Sequence, residues 1–76
     1  MLQIHKNLQR LESIDIGHAV SVFIGDGKLR KAIVLMEVQL PGYSFKHFIL
    51  EISTPVDPLI VIRSPHTMWK YTGELS

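Results

Sequence analysis

The sequence predicts a mainly β protein in which one N-terminal α-helix is followed by a five-stranded antiparallel, strongly bent open barrel of SH3 type. Two observations support this fold class. The spacing of apolar residues changes from helical to alternating after Gly17, and Gly- and Pro-rich turns then divide the chain into short segments. These turns leave no room for a second helix of about 10 residues, which excludes parallel crossovers and the nucleotide sites that accompany them.

The helix is predicted from Ile4, Leu8 and Leu11, which lie at helical spacing while polar residues occupy the remaining faces. Gly17 follows this pattern after a few positions and suits a turn from helix to strand. The N-terminal segment is therefore expected to form one short amphipathic helix.

Five strands are expected after this helix. The first alternates up to Ile24 and stops at Gly25-Asp26-Gly27, whose Asp-Gly pair suits a tight antiparallel hairpin. The second runs from residue 29 to about residue 39 and ends at a Leu-Pro-Gly turn. The others are expected at residues 45–53, 59–63 and 66–71, with Pro-containing turns before the last two.

Length and composition limit the classes of protein that this chain can represent. Its 76 residues form a single domain, residues 1–76, and the formal net charge is +1. Binding of a polynucleotide by bulk charge is therefore not expected. The longest purely apolar run, residues 32–36, is too short to span a bilayer. No secretory signal is visible, and we expect a cytoplasmic protein with no membrane partner.

Catalytic and metal-binding patterns find little support. The chain has no cysteine, its four histidines have no paired ligand spacing, and no Gly-x-Ser-x-Gly elbow occurs. Asp15, Asp26 and Asp57 fit turns or caps rather than acid–base pairs. We therefore expect no enzyme, no catalytic residue, no metal and no cofactor.

The predicted strands carry more apolar surface than one small core can hold. In the fourth strand, Leu59 and Val61 should face opposite to Ile60 and Ile62. A strand that is apolar on both faces must be covered on both or lie at an exposed edge. We expect contact with other copies of the chain; the alternative is a monomer whose helix covers the excess. The expected interface residues are Leu59, Ile60, Val61, Ile62, Met68 and Trp69.

Candidate nucleic-acid ligands lie in two turns. Arg63 follows an apolar strand and precedes a Ser-Pro turn, where a guanidinium can reach a phosphate or stack on a base. Tyr43, Lys46 and His47 place aromatic rings beside a cation, the combination that single-stranded nucleic acid requires. The structural alternatives are a surface ion pair for Arg63, loop packing for Tyr43 and a satisfied structural histidine for His47, while Phe45 is expected to fill the core.

Two motifs resemble those of the Sm-like (LSm and Hfq) family. The first is Leu11-x5-Gly17-x2-Val20-x-Val22-x-Ile24-x-Asp26-Gly27, followed by Ala32 and Val34. The second is Val61-Ile62-Arg63-Ser64, where the family has Ile-Arg-Gly. The family's Asp-x-x-x-Asn segment has no direct counterpart, because Glu37 or Val38 stands at its Asp and His47 at its Asn, with a longer loop between them.

This resemblance implies a function as well as a fold. Strand four of one subunit would pair with strand five of the next, closing a homo-oligomeric ring of about five to seven subunits. The ring would bind single-stranded, U- or A-rich RNA without catalysis, through Arg63, Ser64, His47, Tyr43 and Lys46. The alternative function is a small β-barrel module for protein–protein contact or assembly that does not bind RNA.

Overall fold

The computed structural model describes residues 9–11, 13–54 and 56–73. All strand pairings are antiparallel, and the five strands form one sheet in the order β4-β3-β2-β1-β5. A 3-10 turn, Pro65–Thr67, connects β4 to β5. The strands are β1 (Ala19–Phe23), β2 (Leu29–Val38), β3 (His47–Ile52), β4 (Leu59–Arg63) and β5 (Met68–Lys70). The mainly β class and the five antiparallel strands predicted from the sequence are confirmed.

The predicted N-terminal helix is not supported. Most of it, residues 1–8 and 12, lies outside the described residues, and residues 9–11 are not helical. The carbonyl oxygen of Gln9 instead accepts a hydrogen bond from the backbone N–H of Lys70 at 2.8 Å. Leu11 and Ile14 pack against the core. Apolar residues at this spacing can thus cover the core from a non-helical segment that also satisfies a backbone donor of β5.

The core lies on one face of the sheet because apolar side chains alternate along each strand. Three side chains are fully buried: Leu50 at the centre of β3, Val34 on the neighbouring β2 and Val22 on β1. Burial of one such side chain contributes about 1.5–3 kcal/mol. The buried core cluster consists of Val20, Val22, Ala32, Val34, Phe48, Leu50, Ile52 and Met68.

The sheet is curved and open. The register of β2 on β3 shifts between Val34 and Met36, which marks a β-bulge and a local bend. A guanidinium N–H of Arg63, at the end of β4, reaches the carbonyl oxygen of Phe23, at the end of β1, at 3.4 Å. In a flat sheet these strands would be about 14 Å apart. The sheet therefore curls on itself, while β4 and β5 remain its two edges.

The hairpin between β1 and β2 is confirmed, but its loop spans residues 24–28 and is wider than the tight turn predicted. Gly25 and Gly27 adopt positive φ angles of 99° and 78°, which a side chain would disfavour. The carboxylate of Asp26 accepts hydrogen bonds from the Arg30 guanidinium and, at 3.1 Å, from the Lys28 backbone N–H. These bonds lower the pKa of Asp26 below its usual value.

Candidate functional site

Four aromatic side chains meet where β3 begins, and we call them the ring cluster: Tyr43, Phe45, His47 and His66. The Tyr43 and His47 rings are 4.6 Å apart between centroids and inclined at 69°. Phe45 stacks on His47 at 5.2 Å and meets His66 edge-on at 5.0 Å. The β2–β3 loop supplies the first two rings, and the 3-10 turn before β5 supplies His66. These loops meet because β3 and β4 are neighbouring antiparallel strands, whose register, extended from Phe48 opposite Arg63, places Phe45 opposite His66.

Local hydrogen bonds fix the loop that carries Tyr43. Its backbone N–H donates to the carbonyl oxygen of Leu40 at 3.3 Å, and Gly42 takes a positive φ of 86°. The Gln39 side-chain amide donates to the carbonyl oxygen of Tyr43 at 2.8 Å. Because the backbone is held on both sides, the half-exposed Tyr43 ring is presented to solvent with little loss of order on binding.

His47 lies under this cluster rather than at its surface. His47 is only 7% exposed, and it pairs with Val38 across the β2–β3 ladder. The buried Nδ1 atom has no hydrogen-bond partner among the described residues. Tyr43 and Phe45 cover the imidazole, which gives His47 a structural position, but the lack of an Nδ1 partner among the described residues differs from the satisfied histidine of the structural alternative.

The two predicted cationic ligands both have partners. The Lys46 ammonium lies 2.7 Å from a carboxylate oxygen of Glu37, and both side chains are exposed. An exposed pair of this kind is worth only about 0–1 kcal/mol, so a phosphate can replace Glu37. Arg63 is held more firmly, since its guanidinium donates to the carbonyl oxygens of Ile62, at 2.9 Å, and Phe23, at 3.4 Å.

Ser64 positions the turn that carries His66. Its carbonyl oxygen accepts hydrogen bonds from the Thr67 backbone N–H at 3.0 Å and from the Thr67 hydroxyl at 2.9 Å. Its own hydroxyl makes no capping hydrogen bond. The sequence analysis did not include His66 in the site, because its contact with Phe45 follows from the β3–β4 register, which no local motif encodes.

A groove of about 430 Å³ lies beside the ring cluster, between residues 10, 11, 13 and 14 and the starts of β3 and β5. Its apolar floor includes the buried side chains of Phe48 and Met68. Two residues lie at its rim: His66, which is part of the ring cluster, and Lys46, which is next to that cluster. The arrangement can therefore accept a flat apolar ring next to a negative charge.

The predicted interface residues occupy the two edges of the sheet. Leu59, Ile60 and Ile62 on β4 are exposed, whereas Val61 faces inward and packs partly against the core. On β5, Trp69 is half-buried and meets the Phe23 ring edge-on at 5.5 Å. The prediction that Met68 lies at the interface surface is wrong. Its side chain is 1% exposed and belongs to the core, because Met68 pairs with the inward-facing Val22.

The geometry defines a small, curved, antiparallel β-sheet protein with a ring cluster at one end and two apolar or aromatic edges. No known protein family, curated protein or solved structure matches the chain. Within the part of the chain that the structure describes, no three His, Asp or Glu side chains converge as a metal site would require. The same residues include no helix with the length and apolar character needed to cross a membrane.

Proposed function

We propose that this chain is a subunit of an Sm-like homo-oligomeric ring that binds single-stranded RNA without catalysing a reaction. The observation that carries the proposal is the ring cluster, which presents Tyr43 and His66 beside Lys46 and an apolar groove. The family resemblance of the sequence supplies the ring, and the cluster supplies a place for bases.

The sheet order supports the assembly. Head-to-tail joining by strands four and five requires both strands to lie at the edges of the sheet, and β4 and β5 do. The β4 edge exposes Ile60 and Ile62 to 52% and 46%, a cost that a monomer would bear in water. A heterologous contact of this kind forms a ring when the rotation between successive subunits closes, which is the outcome proposed for this chain.

Base stacking is the proposed mode of RNA binding. The half-exposed Tyr43 ring provides a face for one base, His66 lies within the same cluster, and Lys46 exchanges Glu37 for a backbone phosphate. Stacking on one aromatic side chain contributes about 1–3 kcal/mol per base and tolerates different sequences. A ring repeats this modest site once per subunit, so avidity raises the total affinity.

Three of the predicted ligands serve in this proposal chiefly to hold other parts of the site in place: Arg63, Ser64 and His47. Arg63 holds β4 against the end of β1, and donors of its guanidinium beyond the two in use can face a phosphate. Ser64 holds the turn that carries His66, and its hydroxyl, which makes no capping hydrogen bond in the described part of the chain, can donate to RNA. His47 supports the rings of Tyr43 and Phe45 from below.

The test is fluorescence anisotropy with labelled oligo-U and oligo-A, comparing the wild type with Tyr43→Ala. Loss of one stacking face should weaken binding about 5- to 150-fold. Tyr71→Ala is the matched control, because Tyr71 contacts Lys31 on the opposite part of the sheet and should leave affinity within about twofold. Equal affinities of the wild type and Tyr43→Ala would contradict the proposal.

Salt dependence separates stacking from bulk electrostatics. With a formal charge of +1 per chain and Lys46 already paired, few phosphates are neutralised per subunit. The logarithm of affinity should therefore fall with the logarithm of salt concentration at a slope of about −1 to −2 per subunit contacted. A much steeper slope would contradict the stacking mechanism.

A protein–protein assembly module without RNA binding is the second candidate. It is favoured by the partners that Lys46 and Arg63 already have, which leave the ring cluster with little free positive charge. Under this alternative the chain would still self-associate, but neither oligonucleotide would bind at any salt concentration. The anisotropy measurement therefore distinguishes the two functions directly.

A further inference from the structure

The backbone of β5 shows which of its groups face away from β1. The N–H of Lys70 points away from β1, because it donates to the carbonyl oxygen of Gln9 at 2.8 Å. Residues of an antiparallel strand alternate in the side to which they direct their N–H and C=O groups. Trp69, opposite Ser21, therefore directs its backbone groups to β1, while Met68 and Lys70 direct theirs away from β1. Both N–H groups have acceptors in the chain, Pro65 for Met68 and Gln9 for Lys70, and a partner strand must replace these acceptors.

The same reasoning identifies the outward residues of β4. The N–H of Val34 donates to the carbonyl oxygen of His18, at 3.0 Å, so Val34 faces the side of β1 and Ile33 faces β3. Ile33 pairs with Glu51, whose backbone groups therefore point to β2. Glu51 stands opposite Ile60 in the β3–β4 ladder, and because Glu51 directs its backbone groups away from β4, Ile60 directs its own away from β3. Ile60, and with it Ile62 two residues on, therefore directs its backbone groups to the free edge of β4.

These directions restrict how β4 of one copy can pair with β5 of another. The outward residues must oppose each other, so Ile60 or Ile62 must stand opposite Met68 or Lys70. Only one antiparallel register keeps all of β5 within the length of β4: Ile60 opposite Lys70 and Ile62 opposite Met68, with Val61 opposite Trp69. Shifting β5 by two residues in one direction places Lys70 opposite Pro58, which has no N–H to donate.

We propose that Glu51 forms an ion pair with Lys70 of the partner subunit and that this pair selects the register of the β4–β5 contact. The inference rests on the proposed assembly. Residues directly opposite in a sheet place their side chains on the same face, so the partner subunit's Lys70 extends the row formed by Ile33, Glu51 and Ile60. Glu51 and that lysine are then two strand spacings apart, about 10 Å between Cα atoms, within the joint reach of their side chains.

Charge complementarity identifies a second copy of the chain as the occupant of this edge. Glu51 is half-buried between Ile33 and Ile60, and its carboxylate has no ion pair or hydrogen bond among the described residues. The Lys70 side chain is exposed and likewise makes no ion pair in that part of the chain. A carboxylate on an otherwise apolar strip favours a partner that presents a cation at one defined position.

The test is a charge reversal measured by analytical ultracentrifugation over a range of concentrations. Glu51→Lys and Lys70→Glu should each raise the dissociation constant of the assembly about fivefold or more, and the double variant should return it to within about twofold of the wild type. Lys28→Glu makes the same change of charge in the β1–β2 loop and is the matched control. It should leave the dissociation constant within about twofold.

A second measurement reads the register without relying on charge. The chain has no cysteine, so Val61→Cys with Trp69→Cys, which keeps Glu51 and Lys70, should form disulfide-linked multimers on mild oxidation. Leu59→Cys with Trp69→Cys, which is out of register by two residues, should not. Efficient linking of the second pair, or a double charge reversal no better than the single variants, would overturn this inference while leaving the assembly in place. A wild type that stays monomeric would overturn the assembly and the register together.

Discussion

The guanidinium of Arg63 donates a hydrogen bond to the carbonyl oxygen of Phe23 at 3.4 Å and another to that of Ile62 at 2.9 Å. Arg63 thus ties the end of β4 to the end of β1 across the curve of the sheet. A residue expected from the sequence to contact RNA is in the first place a structural link. A loss of RNA affinity on replacing Arg63 would therefore mix stability with binding, which is why Tyr43 is the sharper probe.

Arg63→Ala should lower the free energy of unfolding by about 1–2 kcal/mol, because both carbonyl oxygens lose a charged donor and the curve loses a link. Urea denaturation followed by Trp69 fluorescence measures this change, since Trp69 packs on Phe23 beside the link. Lys28→Ala, an exposed loop change, should cost less than about 0.5 kcal/mol. Equal stabilities of the two variants would show that Arg63 does not hold the curve.

Ser21→Ala should stabilise the fold by up to about 1 kcal/mol. Ser21 is buried in the middle of β1, and its hydroxyl oxygen has no hydrogen-bond partner among the described residues. Removing a buried, unpaired polar atom while keeping the rest of the side chain relieves its desolvation cost. Thermal unfolding measures the effect, and a drop in stability of more than about 1 kcal/mol would reveal a hydrogen bond that this account does not contain.

Asp26 should add a small pH dependence to stability. Its pKa is lowered by the hydrogen bond from Arg30 and then by that from the Lys28 N–H. Because the folded pKa lies below the unfolded value of about 3.9, the contribution is complete above that pH and is lost as the pH falls from about 4 through the lowered pKa. Asp26→Asn should therefore flatten stability against pH in this acid range and leave its shape above pH 5 unchanged. If Asp26→Asn and the wild type lost stability equally as the pH fell below 4, the proposed contribution of Asp26 would be wrong.

Deletion of residues 1–9 should tighten self-association. The carbonyl oxygen of Gln9 occupies the Lys70 N–H at the β5 edge, the same donor that the proposed register requires. Removing this competitor frees the donor for the carbonyl oxygen of Ile60 in another copy. Sedimentation should show a lower dissociation constant for this variant than for a deletion of residues 1–7, which retains Gln9. Weaker association of the shorter chain would mean that the N-terminal segment helps to build the interface.

The sequence predicted the strands well because their determinants are local. Alternation at Val20 and Val22 and the breaks at Gly25 and Pro41 fix where strands begin and end. The opposite faces of Val61 and Ile62 followed from the same alternation.

Features that depend on distant parts of the chain were missed. Met68 was assigned to the surface, although its pairing with Val22 buries it. His66 was left out of the site because its contact with Phe45 depends on the register between β3 and β4, which places these two residues opposite each other. The role of Arg63 as a link was missed because it depends on which strand ends the curvature brings together.

The central claim is that this chain conceals the apolar edge of β4 against β5 of another copy. Size-exclusion chromatography with light scattering, performed on dilute protein with and without a short oligo-U, tests it most directly. We expect a mass several-fold above the 8.7 kDa of one chain in both samples, with the oligonucleotide co-eluting in the second. A stable mass of 8.7 kDa at every concentration, with free oligonucleotide, would contradict the account.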